Sequence, residues 1–233
     1  MQEEDPFNTL KREARYRAAP SPWDGDRLYA AHTLYGQAIT DFCERAIRMK
    51  QLVGGGEAWD LTNGAVTSVA RYKPNARPII PPVGHCYGHL IYEGYLDGQR
   101  MWGSTRGGET AIRNGDVIQW CDAQVQLLDE NEETTVFSFG ATGYTSIILS
   151  GAEFPELLSE DFQTLPPTRL PDVTIVMQSA ASAMLPTRKL VLFNTLQRGR
   201  IWIYRPVGWD YVGLNAEPEA DWPPPDPTLF LPS

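Results

Sequence analysis

The sequence predicts an α+β protein, with N-terminal helices packed on a mostly antiparallel sheet or half-barrel of about six strands. Three observations carry this. Apolar residues in the N-terminal third recur at three- and four-residue spacing. Beyond it the pattern shifts towards alternation in short runs bounded by turn residues. Helices and strands are also segregated along the chain, which favours neighbouring antiparallel strands over a βαβ arrangement.

Composition sets the limits. The chain has 233 residues, of which 42% are hydrophobic, enough for one well-cored domain. A net charge of −9 argues against a general nucleic-acid or anionic-membrane surface. Three cysteines, Cys43, Cys86 and Cys121, are an odd number without zinc-type spacing, which points to a reducing, cytoplasmic setting and to no metal or cofactor. The acidic start Met1–Gln2–Glu3–Glu4–Asp5 is not a signal peptide, and no stretch is apolar enough to span a membrane.

Residues 1–20 read as a basic arm carrying Lys11, Arg12, Arg15 and Arg17, residues 21–212 as the folded domain, and residues 213–233 as an acidic, proline-rich tail. After a cap at Asp24 or Asp26, a helix is expected over Arg27–Lys50, with Leu28, Ala31, Tyr35, Ala38, Ile39, Phe42, Ala46 and Met49 on one face. His32 and Cys43 read as packing residues beside it. The run Gly54–Gly55–Gly56 breaks the chain and feeds a second helix over Glu57–Tyr72, with Leu61, Ala65 and Val69 on one stripe. The glycines lack the lysine of a phosphate-binding loop. Pro78–Pro82 reads as an extended loop.

Strands follow at Cys86–Tyr92, Gln99–Trp102, Asp116–Ala123, Thr134–Phe139, Tyr144–Leu149 and Val173–Gln178, with turns at Thr110–Asp116 and Asp129–Glu133. Leu190–Thr195 and Arg200–Tyr204 are expected to pair as a hairpin around Leu196–Gly199. On the first strand His85 and His89 would share one face, with Cys86 on the other.

Four segments carry a resemblance: Gly55–Gly56–Glu57–Ala58–Trp59–Asp60–Leu61, Cys86–Tyr87–Gly88–His89–Leu90–Ile91, Asn114–Gly115–Asp116–Val117–Ile118–Gln119–Trp120 and Tyr144–Thr145–Ser146–Ile147–Ile148. Their order is similar to that of the permuted papain-like NlpC/P60 and CHAP peptidases. More closely, the chain resembles the cysteine-proteinase-fold domain of fungal SH3-containing actin-patch proteins of the myosin-tail-region-interacting type. The resemblance implies a papain-like cysteine-proteinase fold. It also implies a thiolate at a helix N-terminus and an imidazole on an adjacent strand.

Carried over residue by residue, those positions fall on Ala58 and Tyr144. Alanine has no nucleophile, and a phenol is a poor base at neutral pH. The resemblance therefore implies a pseudoenzyme: a non-catalytic protein-interaction module, with cortical actin or endocytic assembly as its setting. Its groove would hold a protein or peptide partner, with Trp59, Tyr87, Trp102, Trp120 and Tyr144 as candidate anchors. A proline-binding domain is a second candidate partner, at the tail. Two other readings stay open: an active cysteine hydrolase pairing Cys86 or Cys121 with His85 or His89, and a structural assembly protein.

Overall fold

A computed structural model describes residues 23–72, 79, 86–108, 111–140, 143–155 and 165–208. The expected basic arm, the acidic tail, the Pro78–Pro82 loop apart from Ile79, and His85 lie outside the described residues.

Helix α1 (Gly25–Met49) starts at a cap that the sequence narrows to two candidates. Asp24 is the one used: its Oδ1 accepts the Arg27 N–H at 2.9 Å, while Asp26 sits in the first turn, where a carboxylate complements the dipole. The helix closes at Lys50, in the left-handed region at φ 50°, whose N–H reaches the carbonyls of Ala46 and Ile47. Helix α2 (Ala58–Tyr72) buries Leu61, Ala65, Val66 and Val69. Both helices turn their apolar faces onto one side of the sheet, forming a core with Val117, Ile147, Val176 and Tyr204.

The strands are β1 (His89–Asp97), β2 (Arg100–Thr105), β3 (Ala111–Ile112), β4 (Val117–Leu128), β5 (Thr134–Ser138), β6 (Tyr144–Ser150), β7 (Ala152–Glu153), β8 (Val173–Ser179), β9 (Met184–Leu192) and β10 (Arg198–Arg205). The main sheet runs β2-β1-β10-β4-β6-β8-β9, with β5 also on β4, while β3 and β7 pair separately. Because β9 pairs back to β4, the strands β4, β6, β8 and β9 close into a small barrel. Its interior is the second core, where Trp120 stacks on Phe139 at 4.5 Å between ring centroids and its indole N–H donates to Ser146 Oγ at 2.9 Å.

The expected hairpin between Leu190–Thr195 and Arg200–Tyr204 does not form. Strand β9 reaches β4 only at its end, where Leu190 pairs with Leu128, Val191 with Leu127 and Leu192 with Gln126. Strand β10 pairs with residues 117–124, further along β4. The two strands thus lie end to end along one edge of β4 instead of side by side. The cause is the 3-10 turn Phe193–Thr195 between them. Phe193 is fully buried against Trp120, its N–H donates to Asp172 Oδ1, and Thr195 Oγ1 accepts the Gln126 N–H.

Two smaller differences are also local. The first strand begins at His89, not Cys86, because Gly88 takes a positive φ of 126° against the Arg205 carbonyl. The expected turn at Thr110–Asp116 contains the two-residue strand β3.

The turn before β4 is locked by a buried ion pair. Arg205 Nε donates to Asp116 Oδ1 and Nη2 to Oδ2, both at 2.9 Å, and Nη2 also reaches the Ala111 carbonyl at 3.2 Å. The Arg113 N–H adds a further bond to Asp116 Oδ2 at 2.8 Å. Helix α1 comes down on this turn so closely that a Cβ on Gly115 would stand 2.6 Å from Gly36 Cα.

Two histidines flank the same region. His89 is buried, and its Nε2 accepts the Trp23 N–H at 3.1 Å. His32 Nδ1–H donates to the Asn114 carbonyl at 3.2 Å. Burial, reinforced by the Arg205 charge, holds both imidazoles below their ordinary value of 6.5. The unfolded chain therefore binds more protons just below pH 6.5, and stability must fall as pH drops through that range. Melting temperatures between about pH 8 and 5 should show this fall, and His89→Gln should flatten it. A wild-type profile that is level across the range contradicts the assignment.

Candidate functional site

The turn Val53–Glu57 is held from the sheet by one side chain. Gln178, fully buried at the end of β8, accepts the Val53 N–H at 3.0 Å and donates to the carbonyls of Val53 and Glu57 at 2.9 Å each. Beside it the Ala180 N–H donates to the Gly56 carbonyl at 2.9 Å. Gly56 needs its missing side chain, since at φ 90° a Cβ would lie 2.8 Å from Ala180 Cβ. The turn delivers Ala58 as the first residue of α2, buried at 9% exposure.

Ordinarily this position favours an anion. Here Asp60 reaches back to accept the Glu57 N–H at 3.2 Å, so a carboxylate already occupies the helix end. A second carboxylate, Glu57, is exposed next to it. Both oppose a thiolate.

Across from α2 the sheet offers neutral polar groups. One turn beyond Ala58, Thr62 Oγ1 meets Thr145 Oγ1 at 3.1 Å, both buried. Thr145 pairs across strands with Gln119, whose buried Oε1 has no hydrogen-bond partner among the described residues. Hydroxyls and amides of this kind cannot take a proton at neutral pH.

Tyr144, the position implied for the base, turns away from Thr145 by the alternation of the strand. Its ring packs with Phe139 at 5.1 Å and Phe137 at 6.1 Å, and its hydroxyl donates to the Gln178 carbonyl at 2.5 Å. Burial pushes its pKa further up, away from any role as a base.

The other aromatic candidates separate. Trp59 is 54% exposed on the first turn of α2. Trp102, half-buried, lies on β2 beside Tyr95 at 6.2 Å. Trp120 and Tyr87 are core residues, the first inside the barrel and the second against Tyr204, so neither offers a surface anchor. Cys43 is fully buried and its thiol is pushed up by burial. Cys86 is exposed and Cys121 half-buried on β4. No cluster of His, Cys, Asp or Glu suited to a metal occurs among the described residues, nor any helix long and apolar enough to cross a membrane. The signal for Gln178 and Thr145 was absent from the sequence, where both read as ordinary strand residues.

A helix entered through a small-residue turn and laid against an antiparallel barrel defines a cysteine-proteinase-fold domain. The family model described as the AIM3/BBC1 cysteine proteinase-fold domain matches residues 13–216, and the chain belongs to that family. No curated protein and no solved structure matches.

Proposed function

We propose that this domain is a non-catalytic protein-interaction module on a cysteine-proteinase scaffold. The observation that carries the reading is the chemistry at the α2 N-terminus. By the resemblance Ala58 falls at the nucleophile position, two carboxylates sit at the helix end, and the Thr62 and Thr145 hydroxyls facing it are neutral and bonded to each other. By family resemblance the setting is cortical actin or endocytic assembly, with a protein or peptide partner near the exposed Trp59.

An epoxysuccinyl thiol probe and a peptide-substrate library test this. We expect no hydrolysis and no stoichiometric adduct on Cys86 or Cys121. Hydrolysis with one cysteine labelled would instead support a relocated Cys–His pair. The variant Ala58→Cys is expected to stay inactive, with a thiol titrating no lower than the ordinary value of about 8.5, because Glu57 and Asp60 disfavour the thiolate.

A further inference from the structure

Away from the α2 N-terminus, a cleft of about 610 Å³ opens among β1, β2, β4 and β10. Arg100, Arg198 and Arg200 converge on it, with Asp97, Asp122 and the half-buried Cys121. Arg198 makes only a loose contact with Asp122 at 3.8 Å. Arg100 and Arg200 have no ion-pair partner among the described residues, although the chain carries a net charge of −9. Arg200 sits across from Tyr95, and Tyr95 across from Trp102, so an aromatic pair borders the arginines. Such a surface suits an extended peptide with spaced carboxylates and flat apolar residues.

We propose that this cleft docks the chain's own acidic, proline-rich segment, residues 215–227. From residue 209 onward the sequence holds five carboxylates (Asp210, Glu217, Glu219, Asp221 and Asp226) and no Lys or Arg. Trp222 and three consecutive prolines add the apolar surfaces. The reach is sufficient. Strand β10 runs from the cleft towards Gly208, a path of about 33 Å for ten extended residues, and the thirteen from Gly208 to Asp221 span up to about 43 Å. The acidic stretch can therefore return to the arginines. Tethering supplies an effective concentration in the millimolar range, enough to hold a weak site closed.

Cys121 reports occupancy. In the full chain carrying Cys86→Ser, it is the accessible thiol, because Cys43 is buried. Alkylation by a neutral reagent at low salt should be about fivefold slower than in the same chain with Glu217→Gln, Glu219→Gln and Asp221→Asn. Molar salt should remove the difference. A synthetic peptide of residues 215–227 should restore protection to the neutralised chain, and its Gln/Asn counterpart should not. Equal rates in the two chains overturn the proposal. Protection that grows with protein concentration also overturns it, by assigning the cleft to the segment of a second copy.

Discussion

Asp116→Asn should destabilise the protein by about 3–5 kcal/mol in urea unfolding, because it strands the Arg205 guanidinium in the core. The pair is fully enclosed, with side chains 1% and 2% exposed. Burial pushes the Asp116 carboxyl up and the Arg205 guanidinium down to about 9, and each charge is tolerated because of the other. The two single variants should differ. In Arg205→Met the carboxyl can take up a proton and become neutral, so its deficit should shrink as pH falls. In Asp116→Asn the guanidinium remains charged at neutral pH and has no such escape. The double variant should cost less than the two singles combined, since it removes both charges. Singles that cost under about 1 kcal/mol would show that the pair does not hold β3, β4 and β10 together.

That pair also shows what a sequence can disclose. The turn Asn114–Gly115–Asp116 was legible as a turn, and both helices and most strands were legible from their periodicity. Its partner was not, because Arg205 lies eighty-nine residues away and nothing local marks it. The false hairpin has the same origin. Strand pairing is decided by which edge is vacant, and Phe193, filling the barrel beside Trp120, turns the chain to a different stretch of that edge. At the site, Ala58 was legible at the helix start, whereas the direction of Tyr144 depends on strand alternation relative to a sheet that the sequence does not display. Trp120 and Tyr87 read as anchors for a related reason: composition shows an aromatic residue but not which side of the sheet it faces.

The second large effect concerns Gln178. Gln178→Leu keeps the approximate volume but deletes three hydrogen bonds to the turn before α2. The Val53 N–H loses its partner, while the carbonyls of Val53 and Glu57 keep the bonds they accept from the Gly56 and Asp60 N–H groups at 3.1 Å each, so a cost of about 1–2 kcal/mol is expected, part of the turn being exposed to water. Gln178→Glu should be at least as harmful at neutral pH, because a carboxylate would face two carbonyls and could still serve only the Val53 N–H. The damage should be local first. Limited proteolysis should cut at Gly54–Gly56 before elsewhere, and amide exchange at Val53 should accelerate. Unchanged exchange there would mean that the turn is fixed without Gln178, by the Ala180 N–H on the Gly56 carbonyl and the Gly56 N–H on the Val53 carbonyl. The distinction bears on function, because a residue that orients a catalytic base has its effect on turnover, whereas Gln178 acts on the backbone that presents Ala58. In this chain Gln178 holds in shape the turn that delivers Ala58 to the start of α2.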